Sequence, residues 1–234
     1  MSTAEGGGNI VTDGLVLYLD AANSKSIVSG STAWNDLSRG GNNGTLTGGP
    51  TFNSGNGGNL TFSAPSNQVV SGTTILSPSF TVEVIFMPIT MGDYSPVFTV
   101  GLNNGFGFWG DFDIHTTSTG AIYCGTDVAT RLTPSDAGCG AGAFLVNNIY
   151  HMTFTFSAGA TTQGAGTLYK NSVLLKSKAM TKPLNGSTPG PYRFQNTSGF
   201  SSSMRVYGFR IYSKALTSQE VLQNYNATKG RFGL

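Results

Sequence analysis

The chain has 234 residues, of which 38% are hydrophobic and only 10% are charged, and this length fits one large β-sandwich. The apolar content argues against disorder, while the many Gly, Ser, Thr and Asn residues favour short strands joined by tight turns over helices. The 13 basic and 11 acidic side chains give a net charge of +2 without any basic run, which argues against nucleic acid as a partner.

The chain begins with a polar arm, residues 1–13, which has neither the basic start nor the apolar stretch of a signal peptide. No segment reaches the length of a membrane helix, so we expect synthesis in the cytoplasm and no membrane partner. GLVLYLDA, residues 14–21, predicts a first, central strand with bulky apolar residues on both faces. Residues 23–58 are rich in turn-forming residues and predict irregular loops.

In the middle of the chain, apolar and polar residues alternate in short runs, which predicts a series of antiparallel strands. They cover residues 59–63, 80–86, 96–100, 105–109, 121–124 and 150–156. In the last of these, Met152, Phe154 and Phe156 alternate with polar residues, which predicts one buried and one exposed face. A hairpin follows, and its two-residue turn is predicted at Asn171-Ser172.

The C-terminal region predicts a final strand and a short helix. Residues 204–212 predict a strand with two alternating sets of side chains, of which the second has the larger apolar share. The sets are Met204, Val206, Gly208, Arg210 and Tyr212, and Arg205, Tyr207, Phe209 and Ile211. Thr217 and Glu220 have the spacing of a capping box, so a helix should begin there and dock on the sandwich through its apolar face. Residues 226–234 are predicted to leave the helix as a tail, which bounds one domain at residues 14–225.

Four segments near the two ends of the chain carry a family resemblance. They are GLVLYLDAANSKS (14–26), WNDLS (34–38), GNNGTLTGGPTF (41–52) and RVYGFRIYSKALTSQEVLQNY (205–225). Together they resemble the laminin G-like branch of the concanavalin A-like lectin superfamily. The resemblance implies an all-β fold, a two-sheet antiparallel jelly-roll sandwich with a short C-terminal helix.

The same resemblance implies a role in a virus particle. Modules with this style of ending are similar to those of tailed-bacteriophage virions, so we expect a capsid decoration protein or a tail or fibre component located in the virion. Its partners would then be other virion proteins, and symmetric homo-oligomers are expected by analogy. The predicted arm and tail would serve as attachment elements.

The carboxylates of the chain argue against glycoside hydrolysis. Hydrolases on this fold use paired carboxylates on one strand, but the three glutamates, Glu5, Glu83 and Glu220, are far apart in sequence and no Glu-x-Asp-x-Glu pattern occurs. His115 and His151 are isolated and are expected on strand surfaces, without the partners of a catalytic triad. We therefore predict that the chain is not an enzyme.

One candidate ligand site is present in the sequence. Asp111 and Asp113 lie two residues apart, so in a strand they point to the same face, where they would offer oxygen ligands to calcium. Trp109 beside them would stack on a sugar ring. The alternative function is thus a carbohydrate-binding module for host-surface glycans, with or without calcium. The competing interpretations are a solvated strand end for the aspartates and core packing for the aromatic residue.

Cys124 and Cys139 are the two cysteines of the chain. Without a secretory context two reduced thiols are the expected state, and a disulfide is the alternative. Neither cysteine has a second cysteine or a histidine at ligand spacing, so a metal cluster is not expected.

Overall fold

A computed structural model describes residues 9–55, 57–63, 69–74, 76–93, 95–100, 112–126, 130–161, 163–181, 190–194 and 202–234. The described residues form antiparallel strands and one helix. In chain order these are β1 (Leu15–Asp20), β2 (Ala33–Trp34), β3 (Gly44–Thr47), β4 (Thr51–Asn53), β5 (Asn59–Phe62), β6 (Val69–Thr74), β7 (Phe80–Pro88), β8 (Ser95–Val100), β9 (Phe112–Thr116), β10 (Ile122–Gly125), β11 (Tyr150–Ala158), β12 (Gln163–Lys170), β13 (Val173–Thr181), β14 (Gly190–Phe194), β15 (Met204–Tyr212) and α1 (Ser218–Phe232).

The strands form two sheets. Sheet A has the order β13-β12-β11-β7-β15-β5-β4, with β1 also paired to β15, and sheet B has the order β10-β9-β8-β14-β6-β3-β2. The first and last strands of the chain are therefore neighbours, since Tyr18 of β1 lies opposite Arg210 of β15. Among the described strands β1 pairs with β15 alone, so it is not the central strand that the sequence predicted.

Aromatic side chains from both sheets fill the space between them. Phe98 of sheet B lies 4.2 Å from Phe209 of sheet A between ring centroids, and Phe112 lies 4.8 Å from Phe154. These rings are buried, as the inner faces of a two-sheet sandwich require. The predicted fold class, an all-β jelly-roll sandwich with a C-terminal helix, is confirmed.

The final strand does not alternate strictly, because β15 contains a bulge between Val206 and Gly208. Met204 and Val206 face the core before the bulge, and Phe209 and Ile211 face it afterwards. The extra residue shifts the phase of the strand. As a result Arg210 points away from the core, onto the outer face of sheet A.

Helix α1 covers that outer face. It begins with the predicted capping box, in which the Thr217 hydroxyl accepts from the Glu220 amide and the Glu220 carboxylate accepts from the Thr217 amide. The helix does not end where the sequence predicted. It continues to Phe232, whose ring packs 5.0 Å from that of Tyr207, and Gly233 follows in the left-handed conformation. Most of the predicted tail is therefore helical.

Part of the predicted N-terminal arm is packed against the same helix. The amide of Val11, a buried residue, donates to Oδ1 of Asn224 at 2.7 Å. The carbonyl of Asn9 accepts from the Gln223 side chain at 2.8 Å. Residues 9–13 thus belong structurally to the outer face of sheet A. Residues 1–8, and the strand predicted at 105–109, lie outside the described residues.

Candidate functional site

The predicted ligand residues are only partly described. Trp109 and Asp111 lie outside the described residues, whereas Asp113 lies in β9, opposite Thr99 of β8 and Gly125 of β10. The Asp113 residue is only 4% exposed. The interpretation of this aspartate as a solvated strand end was therefore wrong.

Asp113 belongs to a buried group of polar side chains on the outer face of sheet B. Its carboxylate oxygens lie 3.7 Å from Nε2 of His115 and 3.7 Å from Nη1 of Arg131. The Arg131 guanidinium in turn lies 4.5 Å above the Tyr123 ring. Burial raises the pKa of Asp113 to about 7 and outweighs the opposing effect of Arg131.

The described residues do not complete a metal site around this aspartate. Within the described ranges no group of three or more His, Cys, Asp or Glu side chains is arranged to hold a metal ion. The cationic Arg131 beside Asp113 also opposes a second positive charge. Calcium binding through Asp111 and Asp113 stays a prediction, because Asp111 is outside the described residues.

The outer face of sheet B continues from Asp113 across the neighbouring strands. Asp113 lies opposite Thr99, Thr99 opposite Arg193 of β14, Arg193 opposite residue 71 of β6, and residue 71 opposite Thr45 of β3. Directly opposed residues of neighbouring strands point to the same face. The row is buried at Asp113 but exposed at Arg193 and Thr45.

The exposed end of the row forms an open groove of about 550 Å³, which we call the sheet B groove. Its walls combine exposed hydroxyl, carboxamide and guanidinium side chains with glycine backbone. The lining residues are Gly41, Asn42, Asn43, Thr45, Gly72, Thr73 and Arg193. These come from three chain segments that are far apart in sequence.

One wall of the groove is a loop that Asp36 holds in place. The Asp36 carboxylate accepts from the amides of Tyr18, Ser38 and Asn42 and from the Ser38 hydroxyl. The Asp36 amide donates to Oδ1 of Asn43 at 2.8 Å. The Asp36 carboxylate is therefore occupied by hydrogen bonds within the protein. These bonds order the loop before any ligand binds.

The groove floor depends on a close approach between two strands. The buried Tyr192 donates its hydroxyl to the Asn42 carbonyl at 2.9 Å and so ties the loop to β14. A Cβ atom on Gly72 would lie 2.4 Å from the Tyr192 ring. Only glycine fits at this position, because the aromatic ring occupies the space of a side chain.

Arg193 supplies the positive charge of the groove. Its side chain is exposed, and among the described residues no carboxylate lies within ion-pair distance of it. A guanidinium in this situation offers several hydrogen-bond donors to an incoming group. This site was not predicted from the sequence, although one of its walls lies within the turn-rich residues 23–58.

Glu83 is not available to a substrate, because it is buried beneath α1. Its carboxylate binds Nη1 of Arg210 at 3.1 Å and Nδ2 of Asn224 at 3.0 Å. Nε2 of His151 lies 3.5 Å away. Burial alone would raise the pKa of Glu83, but His151, Arg210 and Asn224 together lower it to about 2.

Neither histidine lies on a strand surface as predicted. His115 and His151 are both buried, and the ring of Tyr225 from α1 stacks 5.9 Å from that of His151. The outer faces of the two sheets are covered at these points. Burial against other elements cannot be read from isolated residues in the sequence.

Both cysteines lie in the core as free thiols, in agreement with the expected reduced state. Burial raises the pKa of Cys124 and raises the pKa of Cys139 to about 11. Raised pKa values keep both sulfurs protonated and poorly reactive in the folded protein.

Comparison with protein families defines the class of the domain. A laminin G family model, described as the concanavalin A-like lectin/glucanases superfamily, matches residues 54–222. The chain therefore belongs to the concanavalin A-like lectin/glucanase superfamily. No curated protein matches the sequence.

Solved structures with this fold include toxin binding domains and sialidases. The binding domain of Paraclostridial Mosquitocidal Protein 1 is 17% identical with a TM-score of 0.65, and the botulinum neurotoxin serotype D binding domain is 13% identical with a TM-score of 0.66; each match covers 92% of this chain and 52% of the other. Trypanosoma rangeli sialidase in complex with sialic acid is 16% identical with a TM-score of 0.66, over 99% of this chain and 36% of the sialidase. The chain thus spans about half or a third of these structures.

The sialidases overturn the prediction that the chain is not an enzyme. They include a mutant of Trypanosoma rangeli sialidase that displays trans-sialidase activity, so likeness to structures of this fold does not separate binding domains from enzymes. The absence of one carboxylate pattern was too narrow a criterion. At these identities the likeness shows the fold and carries neither an activity nor its absence.

The described part of the chain contains no helix that is both long enough and apolar enough to cross a membrane.

Proposed function

We propose that the domain binds carbohydrate and that the sheet B groove is the binding surface. The observation that carries the proposal is a preorganised, open groove whose lining side chains, apart from the glycines, are all polar. Sugar hydroxyl groups both donate and accept hydrogen bonds, so they suit a wall of hydroxyl and carboxamide groups. A loop already fixed by Asp36 loses little conformational entropy when a ligand binds.

Arg193 suggests which sugars bind best. Its exposed guanidinium would form charge-assisted hydrogen bonds with the carboxylate of an acidic sugar, and such bonds are about twice as strong as neutral ones. Neutral sugars would rely on Asn43, Thr45 and Thr73. The sialidase bound to sialic acid supports a carbohydrate role without assigning a ligand to this chain.

A glycan array on the purified protein, with calcium and with a chelator, tests the proposal. Arg193→Gln should weaken binding to acidic glycans at least about tenfold, in line with the loss of a charged hydrogen-bonding group. Lys25→Gln removes an exposed charge outside the groove and is the matched control. An array without any binding would overturn the carbohydrate role.

The variant Trp109→Ala separates this groove from the site predicted at Trp109, Asp111 and Asp113. Full affinity in Trp109→Ala together with lost affinity in Arg193→Gln supports the groove. The opposite result, or loss of binding in chelator, supports the calcium-assisted site instead.

We also propose, from the family resemblance of residues 14–52 and 205–225, that the domain is a capsid decoration or tail component of a bacteriophage virion. Mass spectrometry of purified virions that carry the encoding gene tests this role. Absence of the protein from such particles would refute it, and this result is independent of glycan binding.

A further inference from the structure

Four aliphatic side chains are exposed at one end of the sandwich. Val173 and Leu174 follow directly after the β12–β13 turn, while Leu145 and Val146 lie in the segment before β11. Their exposed fractions range from 41% to 65%. We call these four residues the aliphatic tip. Exposed aliphatic side chains at the end of a hairpin are candidates for a contact surface.

Polar contacts join the end of the β12–β13 hairpin to the residues on either side of Leu145 and Val146. Nζ of Lys170 donates to the Ala143 carbonyl at 2.8 Å. Asn171 and His151 exchange two hydrogen bonds, from the Asn171 amide to the His151 carbonyl and from the His151 amide to Oδ1 of Asn171. The aliphatic groups therefore remain exposed while their backbones are fixed.

The turn itself is well defined. Asn171 and Ser172 have φ values of 51° and 64°, as a two-residue hairpin turn of type I′ requires. Val173 and Leu174 thus project from a rigid hairpin end instead of forming part of a concave pocket. Binding to a membrane surface grows with the apolar area that enters the bilayer boundary and with attraction to anionic lipids.

The charge around the tip is positive. Between Asp136 and Glu220 the sequence has no acidic residue. Two basic residues are neighbours of Val173 and Leu174: Lys170 lies opposite Val173, and Lys176 follows Leu174 by two residues in β13. Among the described residues neither lysine has a carboxylate within ion-pair distance.

We propose that the aliphatic tip docks the domain on an anionic lipid surface. The aliphatic groups would enter the boundary between headgroups and acyl chains, and Lys176 would bind lipid phosphate and carboxylate groups. The expectation of no membrane partner rested on the absence of a membrane helix, which a surface contact does not need. The tip and the sheet B groove share no residue, so this docking is independent of glycan binding.

Vesicle flotation tests the proposal with phosphatidylcholine vesicles, with and without phosphatidylserine. The intact protein should float with the phosphatidylserine vesicles, and added salt should weaken the association. The double variant Val173→Ser, Leu174→Ser should bind at least about tenfold more weakly, because each buried methylene contributes to partitioning. Lys176→Gln should weaken binding only to the anionic vesicles.

The matched control is Val28→Ser, since Val28 is 53% exposed in a loop far from the tip in sequence. It should leave flotation unchanged. Failure to float, equal flotation on both vesicle types, or an unaffected double variant would overturn the proposal. The solution mass by analytical ultracentrifugation gives a further check. An oligomer that the double variant dissociates would show that a second copy of the chain covers the tip, and the proposal would be wrong.

Discussion

The polar group beneath α1 predicts a large effect for Glu83→Gln. Glu83 and Arg210 form an ion pair that is almost fully buried, and Asn224 of α1 donates to the same carboxylate. Glutamine keeps the size of the side chain but removes its charge. The variant therefore leaves the Arg210 guanidinium buried without a counter-charge, which is among the most destabilising single changes in a protein.

Two independent arguments give the size of the expected loss in the free energy of unfolding. The pKa of Glu83 falls from 4.5 to about 2 in the folded protein, and this difference corresponds to ~3 kcal/mol of stability above pH 4.5. Removal of one partner of a buried pair costs about 3–5 kcal/mol. We expect Glu83→Gln to lower the free energy of unfolding at pH 7 by about 3–5 kcal/mol.

Urea denaturation followed by circular dichroism, repeated between pH 7 and pH 2, is the assay. Because the folded pKa is depressed, the stabilisation by Glu83 is fully present above pH 4.5 and is lost as the pH falls through about 2. The difference between wild type and Glu83→Gln should shrink over the same interval, since protonated glutamate resembles glutamine.

Two further variants make the test specific. Glu220→Gln changes a more exposed glutamate whose capping role glutamine can take over, and it should cost less than about 1 kcal/mol. Arg210→Met in the Glu83→Gln background should recover part of the lost stability, because it removes the unpaired charge. A Glu83→Gln variant within about 1 kcal/mol of wild type at pH 7 would refute the reasoning.

Three other predictions concern buried groups. Burial raises the pKa of Asp113 from 3.8 to about 7, so ionisation of this carboxyl group opposes folding. The wild type should therefore lose stability relative to Asp113→Asn as the pH rises from 4 to 7. Melting temperatures of the two proteins that run parallel across this range would contradict the prediction. Cys124 and Cys139 should not react with a thiol reagent in the folded protein and should both react after denaturation, whereas no reaction after denaturation would indicate a disulfide. Gly72→Ala should destabilise the fold by about 1–3 kcal/mol in urea denaturation, because its Cβ would overlap the Tyr192 ring.

Local features of the fold were predictable because they depend on neighbours in sequence. The capping box at Thr217 and Glu220 needs residues three apart, and the turn at Asn171 and Ser172 needs two residues that tolerate positive φ. The core-facing side of β11 follows from simple alternation of apolar residues. Its other side was predicted to be exposed, which was wrong, because His151, Thr153 and Thr155 are buried as well. These signals, with the resemblance at the two ends, were sufficient for the fold class.

The candidate site was not predictable in the same way. The sheet B groove brings Asn43, Thr73 and Arg193 together from separate segments, and no spacing rule connects them. The aspartate that the sequence marked as a ligand, Asp113, is buried next to Arg131. A sequence shows that a side chain is polar but does not show what covers it.

The capped start of α1 and the turn between β12 and β13 were predictable because short-range sterics and hydrogen bonds decide them. The class of the fold followed from the strand pattern and the family resemblance. The remaining features depend on contacts that only the folded chain makes. The bulge in β15 directs Arg210 toward Glu83. Helix α1 continues to Phe232 because it packs against the outer face of sheet A. The sheet B groove likewise exists only where distant strands pair. In each case the deciding contacts join residues far apart in the chain, and their free energy is gained only when the whole sandwich has formed.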